Sequence, residues 1–334
     1  MSMCFTAHAY FFAKILVQRK VLSNRNAKSM HLSKNVTRCI LASKSIKGGF
    51  ILLQKPKAIF LDMDGTILNH QNQVSLKTKE IIDDLRKEGF FVFIATGRSF
   101  DEITSVVPEG FEVDGYVTSN GMAGYIGKEP IFQHTLPLQL VETIIEKARE
   151  YKVYYELFPY GASRITLNQD KEYVMHEIRE PKPESVGINE WLSRKEAING
   201  KIDWKDTIEG SKFSKFYFFA RTKEHINQWK QVLEELRKEV DFTASTSSGH
   251  NVEVMVANVN KATGIKQMLE KFSLSAKETM GIGDSDNDIQ MLQFVSMPVA
   301  MQNAPEHIKE IAKEITELTC DEDGVCHFLT SKFK

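Results

Sequence analysis

The sequence contains few cysteines. Four occur in 334 residues, Cys4, Cys39, Cys320 and Cys326, and they are too few and too scattered to predict a disulfide framework or a zinc site. A reducing compartment is therefore expected. Apolar residues make up 42% and charged residues 26% of the chain, as in an ordinary globular protein. The length is sufficient for two domains.

Long hydrophobic runs are missing, and so are acidic residues near the N-terminus. Lys14 interrupts the apolar segment "AYFFAKILV", and no stretch reaches the roughly 18 apolar residues that a membrane helix needs. Residues 1–57 hold eleven Lys and Arg and no Asp or Glu, which leaves 32 bases against 44 acids in the rest of the chain. This acidic remainder argues against nucleic acid as a partner.

The basic leader, residues 1–56, has three interpretations. We favour over-extension, in which Lys47-Gly48-Gly49 is a translated ribosome-binding site and Leu52 or Leu53 marks the true start. This interpretation predicts a cytoplasmic, bacterial-type protein. An acid-free basic leader is also the composition of a transit peptide, which predicts an organellar protein. A disordered native tail is the third interpretation.

From residue 57, short buried runs alternate with helical stretches, which predicts an α/β fold with a Rossmann-like open parallel sheet. Between residues 137 and 247 strands bunch without alternation, which predicts an inserted α+β module. The core then comprises residues 57–136 and 248–334. Its predicted strands are 57–61, 90–96, 115–119, 278–283 and 296–301, and its predicted helices are 75–88, 261–272, 286–293 and 305–313. In the insert, helices are predicted at 138–151 and 223–239, and strands at 153–159, 164–168, 212–220 and 241–247.

Polar clusters follow the predicted core strands, at the edge where open α/β sheets place their ligands. The acids among them occur without His or Cys, and such an all-oxygen set favours a hard cation such as Mg²⁺. A cation together with hydrogen-bond donors makes a site for a phosphate dianion. The clusters are Asp62 and Asp64, Thr96-Gly97-Arg98, Ser119-Asn120-Gly121, and Gly283 to Asp288, with Lys261 at the start of the helix that precedes the last of these strands.

Two acids one residue apart can divide the chemistry of phosphate ester hydrolysis. This reaction requires rate factors approaching about 10²¹. One carboxylate can attack phosphorus and form an aspartyl phosphate. Its neighbour can protonate the leaving oxygen and later deprotonate water.

Four segments together carry a resemblance to a known family. "DMDGT" from residue 62, "ATGR" from residue 95, "NKATG" from residue 260 and "GDSDND" from residue 283 resemble the signature motifs of the haloacid dehalogenase-like hydrolases. The insert resembles the type IIB cap of the Cof-type sugar-phosphate phosphatases. The resemblance covers about residues 57–331, and the joint motif set is specific to the family rather than to a substrate.

The resemblance implies a role for each matching residue. Asp62 is the nucleophile and a Mg²⁺ ligand, and Asp64 is the general acid/base, with its backbone carbonyl also at the metal. Asp284 completes the metal site, and Asp288 orients the water around the ion. The predicted phosphate-binding groups are the Met63 amide, Thr96, Gly97, Asn120, Lys261 and Asn287.

Four further residues concern the substrate. Met122 and Ala262 depart from the family pattern, and we expect both near the leaving group. Arg98 is predicted either to cap the following helix or to contact phosphate. His250 is either a substrate contact or a surface residue in the hinge region.

The leading prediction is therefore a Mg²⁺-dependent phosphatase acting on a small phosphorylated metabolite, such as a sugar, polyol, flavin or pyridoxal phosphate. The cap is expected to close over the substrate and exclude bulk water. The alternatives are a phosphomutase or phosphotransferase with the same intermediate, and a phospho-acceptor without turnover. No nucleic acid or membrane partner is expected, and a monomer and a homodimer stay equally open.

Overall fold

A computed structural model describes residues 55–210 and 212–334 of the chain. Nearly all of the predicted basic leader lies outside these residues. Within the described part, every helix is too short or too polar to span a bilayer. The strands of this part form two sheets, one of eight strands and one of six.

The described residues form fourteen strands and ten α-helices. The strands are Ala58–Leu61 (β1), Phe91–Ala95 (β2), Gly115–Thr118 (β3), Ala123–Ile126 (β4), Glu129–Gln133 (β5), Tyr154–Pro159 (β6), Arg164–Leu167 (β7), Ile202–Lys205 (β8), Phe213–Phe219 (β9), Phe242–Ser245 (β10), Asn251–Val256 (β11), Thr279–Gly283 (β12), Met297–Ala300 (β13) and Glu314–Ile315 (β14). The α-helices are Leu76–Lys87 (α1), Phe100–Ile103 (α2), Leu138–Glu150 (α3), Lys171–Glu177 (α4), Ile188–Glu196 (α5), Lys223–Leu236 (α6), Lys261–Phe272 (α7), Ile289–Phe294 (α8), Glu306–Lys309 (α9) and Gly324–Phe333 (α10).

The eight-stranded sheet is the core, with strand order β14-β13-β12-β1-β2-β3-β4-β5. Strands β14 to β3 pair in parallel, whereas β4 and β5 add an antiparallel edge. All five predicted core strands lie in this sheet, and the predicted α/β fold is confirmed. The antiparallel edge strands were missed by the sequence analysis.

Both faces of the core sheet are covered. Ile59 and Leu61 of β1 pack in one apolar cluster with Ile82 of α1, while Phe60 packs in another with Met268 of α7. Because successive strand residues point to opposite faces, a strand buried on both sides is apolar throughout. That is why "AIFL" has no polar residue.

The six-stranded sheet belongs to the inserted cap, with strand order β10-β11-β9-β6-β7-β8. Its strands pair antiparallel except for the parallel pair of β7 and β8. Helices α3 and α6 cover one face, where Ile144 and Trp229 pack in the same cluster as Phe216 and Phe218. Part of the other face packs with Trp191 of α5.

The predicted return to the core at residue 248 is wrong. Strand β11, Asn251–Val256, pairs with β10 and β9 and is therefore part of the cap sheet, so the chain returns after Val256. The apolar alternation of "NVEVMV" is the same in either sheet, which is why the sequence could not assign the strand. The helix predicted at 305–313 is also shorter, because α9 ends at Lys309.

Candidate active site

The loop after β1 brings two distant acids together. Asp62 follows the strand directly, and the chain then turns at Gly65, whose φ is +76°. A Cβ at position 65 would lie 2.3 Å from Asp284 Oδ2, so the turn requires glycine both for its conformation and for space. Thr66 Oγ1 donates to Asp284 Oδ1 at 3.0 Å. The short motif thus holds Asp284 beside the end of β1.

Lys261 lies between two of the acids with its side chain fully buried. Its Nζ is 2.5 Å from Asp62 Oδ1 and 2.7 Å from Asp288 Oδ1. The lysine is the first residue of α7, which begins there because the side chain of Asn260 accepts a hydrogen bond from Thr263 N. The capped helix start therefore directs a buried ammonium toward the acids.

The second oxygen of Asp288 is also engaged. Asp288 Oδ2 accepts hydrogen bonds from the backbone amides of Asp284 at 3.0 Å and Ser285 at 3.1 Å. By contrast, Asp62 Oδ2 and Asp284 Oδ2 accept no hydrogen bond from any described residue. Asp288 therefore shapes the loop, whereas Asp62 and Asp284 each keep one carboxylate oxygen available.

The three acids fit a hard divalent cation. Oxygens of Asp62, Asp284 and Asp288 lie within 4.8 Å of one another. Burial, then the charge of Asp288, raises the pKa of Asp62 to about 7 against the opposing effect of Lys261. Burial and the charge of Asp62 likewise raise the pKa of Asp284 well above its usual range. One ammonium does not offset three clustered carboxylates, two of which are buried, and oxygen ligands of this kind suit Mg²⁺.

Asp64 points elsewhere and pairs with Arg98. Arg98 donates from Nε to Asp64 Oδ2 at 2.8 Å and from Nη2 to Asp64 Oδ1 at 2.6 Å, and it also donates to Asn72 Oδ1 at 3.1 Å. Burial by itself lowers the pKa of Arg98, but Asp64 and Glu102 outweigh this effect and raise it. Neither sequence-based alternative for Arg98, a helix cap or a phosphate contact, included this ion pair.

The predicted phosphate-binding residues form a connected set. Arg98 N donates to Thr96 Oγ1 at 3.1 Å, which leaves the hydroxyl hydrogen of Thr96 free to donate. Asn287 Nδ2 donates to Asn120 Oδ1 at 3.2 Å. Asn120 has a left-handed φ of 54°, a conformation that asparagine tolerates better than most residues. The loops after β2, β3 and β12 therefore meet at one place.

These loops border a cavity of about 380 Å³ between the core and cap sheets. Seven of the predicted site residues line the cavity, namely Asp62, Asp64, Gly97, Arg98, His250, Asp284 and Asn287. The others, Met63, Thr96, Asn120, Lys261 and Asp288, are buried and do not line it.

The cap contributes charged residues that the sequence analysis missed. Lys215 and Glu253 line the cavity, as do Glu190 and Arg194 of α5. A signal was present for two of them, because Lys215 and Glu253 are the single charged residues of strands that are otherwise mostly apolar. Such positions indicate a specific partner, since a charge is rarely buried alone.

Two expectations about the substrate region are wrong. His250 is 2% exposed, so it is not a surface residue of the hinge. Its Nδ1 pairs with Ala220 O at 2.9 Å, and its buried Nε2 has no hydrogen-bond partner among residues 55–210 and 212–334. Met122 was expected near the leaving group, but it packs with Met255 and Val259 in an apolar cluster. Neither Met122 nor Ala262 lines the cavity.

The chain belongs to the haloacid dehalogenase-like hydrolases, whose family model matches residues 59–329. It is similar to phosphatase YwpJ of Bacillus subtilis, with 29% identity over 82% of this chain and 98% of that protein. It is also similar to the B. subtilis 5-amino-6-(5-phospho-D-ribitylamino)uracil phosphatase YcsE, with 28% identity over 80% of this chain and 92% of that protein. A solved haloacid dehalogenase-like hydrolase from B. subtilis superposes with a TM-score of 0.69 at 26% identity, over 82% of this chain and 99% of that chain. The predicted family is confirmed, and the protein is a phosphatase.

Proposed function

We propose that this protein hydrolyses a small phosphorylated metabolite through an aspartyl phosphate on Asp62, with Mg²⁺ as its cofactor. The observation that carries the proposal is the cluster of Asp62, Asp284 and Asp288 around Lys261, at a cavity that the cap covers. A cluster of acids next to a cleft, in which the pKa values of Asp62 and Asp284 are raised, is a typical functional site.

Asp62 and Asp284 are the residues that would hold the metal through side chains, together with the Asp64 carbonyl. Asp288 would act through the loop amides that it binds. When bound, Mg²⁺ supplies positive charge that offsets the charge of the phosphoryl oxygens. Lys261 supplies a further positive charge from the chain itself.

The reaction proceeds in two displacements at phosphorus. An oxygen of Asp62 bonds to phosphorus as the bond to the leaving oxygen breaks, and Asp64 gives that oxygen its proton. Water then attacks phosphorus and passes a proton to Asp64, while the bond to Asp62 breaks and phosphate leaves. Because both Asp64 oxygens accept from Arg98, Asp64 must turn away from Arg98 to transfer a proton.

The size and lining of the cavity support a small substrate. About 380 Å³ lies within the range of small-molecule sites, roughly 300–1,000 Å³. The relative YcsE is named for a phosphorylated ribityl chain on a pyrimidine, which is compatible with a polar cavity. We therefore place sugar, polyol, flavin and pyridoxal phosphates in the substrate class.

A panel of phosphorylated metabolites tests the proposal. The purified full chain is expected to release phosphate from some of them with Mg²⁺, and to lose this activity in EDTA. Transfer of the phosphoryl group to an added alcohol in preference to water would favour the phosphotransferase alternative. Stable phosphorylation of Asp62 without release would favour the phospho-acceptor alternative.

We expect Mg²⁺ to bind more tightly as pH rises. The pKa of Asp62 is raised to about 7, and that of Asp284 is also raised. Below about pH 7 Asp62 therefore keeps its proton in the metal-free site, and the metal must displace it. The affinity for Mg²⁺, measured by calorimetry, should therefore increase from about pH 6 to about pH 8. The number of protons released when Mg²⁺ binds should fall over the same range. An affinity independent of pH would contradict this picture of the acids.

His250 should affect substrate choice rather than metal use. In the neutral ring, Nδ1–H donates to Ala220 O, and the buried Nε2 is an acceptor that a substrate donor would reach once the cap residues around it move. His250→Phe keeps the ring but removes this acceptor, so kcat/KM for a hydroxyl-rich substrate should fall about tenfold relative to p-nitrophenyl phosphate. His176→Phe, at an exposed cap position, is the matched control. Equal losses on both substrates would rule out a specificity role.

A further inference from the structure

Two oppositely charged cap side chains meet over the phosphate loops. Lys215 of β9 and Glu253 of β11 are 4% and 8% exposed, and Lys215 Nζ lies 2.5 Å from Glu253 Oε1. Glu253 is paired with Tyr217 in the antiparallel register of the two strands, so Lys215 is its diagonal neighbour on the same face. The sheet register itself therefore brings the pair together.

Each member of the pair also bonds to the core. Lys215 Nζ donates to the carbonyl oxygen of Gly97 at 2.5 Å, and Glu253 Oε2 accepts a hydrogen bond from Asn120 Nδ2. A Cβ at position 97 would lie 3.3 Å from Glu253 Oε2, so the cap carboxylate lies directly against this loop. Lys215 and Glu253 thus each form a hydrogen bond with a loop that is predicted to bind phosphate.

The hydrogen bond from Lys215 fixes the orientation of the peptide group between Gly97 and Arg98. The Gly97 carbonyl shares its peptide with Arg98 N, which donates to Thr96 Oγ1 at 3.1 Å. Holding the carbonyl therefore orients the amide that fixes the Thr96 hydroxyl. Because the Thr96 hydroxyl oxygen accepts this hydrogen bond, its hydrogen can be donated to an acceptor such as a phosphoryl oxygen.

The Glu253 contact controls a side-chain amide. Glu253 fixes Asn120 through Nδ2, and Asn120 Oδ1 then accepts from Asn287 at 3.2 Å. Asn287 lines the cavity next to the acids. The cap carboxylate is in this way connected to the third loop of the site.

A role in cap stability alone does not explain these contacts. Removing two charges from water is costly, and a buried pair offsets this cost only when its remaining hydrogen bonds are made. Burial raises the pKa of Glu253, and Lys215 opposes that shift. The hydrogen bonds that the pair makes outside itself end on Gly97 and Asn120 of the core.

We propose that Lys215 and Glu253 are positioning residues, which hold the Gly97 peptide and the Asn120 amide in the conformation that binds a phosphoryl group. The cap then shapes the phosphate site in addition to covering it. This inference rests on the proposed phosphatase function.

Lys215→Met and Glu253→Gln test the proposal in the full-length protein. With p-nitrophenyl phosphate and Mg²⁺, we expect kcat to fall about 10- to 100-fold, with a smaller change in KM. Backbone amides of residues 96–98 and 118–121 should exchange hydrogen faster in both variants. Arg149→Met is the matched control, because it breaks a cap ion pair with buried Asp170 at 2.7 Å whose residues do not line the cavity. It should preserve kcat and the exchange of both loops.

Two results would overturn the inference. One is wild-type exchange of both loops in Lys215→Met and Glu253→Gln. The other is a loss of kcat no greater than in Arg149→Met. If the wild-type protein releases no phosphate from any compound, the phosphatase proposal fails, and the exchange comparison still decides whether the pair positions the loops.

Discussion

Asp62→Asn is expected to lower kcat by at least about 10⁴-fold, because it removes the atom that bonds to phosphorus. The amide of asparagine is a poor nucleophile. The substitution also removes one of the two carboxylates that form ion pairs with Lys261. The measurement is phosphate release at saturating Mg²⁺, combined with acid quenching and mass spectrometry of the segment around residue 62. A phosphorylated segment should be trapped in the wild-type protein and not in the variant.

Asp286→Asn is the matched control for this experiment. Asp286 lies in the same acidic loop, but its side chain is 51% exposed and pairs with His307. It should retain kcat within about twofold, as expected for a surface substitution. Mg²⁺-stimulated phosphate release by Asp62→Asn at near wild-type rate would refute the assignment of the nucleophile.

Lys261→Met should have the largest effect on stability. It leaves Asp62 and Asp288 buried without their ammonium partner, and breaking such a pair costs about 3–5 kcal/mol. The free energy of unfolding, measured by denaturant titration in EDTA, should fall by this amount. We also expect kcat to fall about 10²- to 10³-fold, since a preorganised charge at the transferring group is lost.

The pH and metal dependence make this prediction specific. At about pH 5 the carboxyl group of Asp62, whose pKa is raised to about 7, can take up a proton, so the stability loss should be smaller than at about pH 8. Added Mg²⁺ should stabilise the variant more than the wild-type protein, because more uncompensated negative charge remains. Lys266→Met, at an exposed position of the same helix, is the control. A variant as stable as wild type in EDTA would show that Lys261 does not offset the acids.

Local sequence patterns predicted the secondary structure correctly where the pattern of a single strand is sufficient. The strands at 57–61 and 278–283 were predicted from their apolar runs and are adjacent in the sheet as β1 and β12. The alternation of apolar residues was ambiguous where it suits a strand of either the core sheet or the cap sheet. For this reason β11 was wrongly assigned to the core. The edge strands β4 and β5 were missed for different reasons. Strand β4 is buried but has only four residues, one of them Gly124, and β5 is partly exposed. Both features weaken the apolar signal.

The sequence alone determined the α/β class and the meeting of Asp62 and Asp284, because the carboxyl ends of neighbouring parallel strands lie at one edge of a sheet. Only the tertiary structure decided that Arg98 binds Asp64 and that Lys215 and Glu253 reach Gly97 and Asn120. These contacts depend on how side chains pack between separate segments and between two sheets. Periodicity within one segment carries no information about such distances.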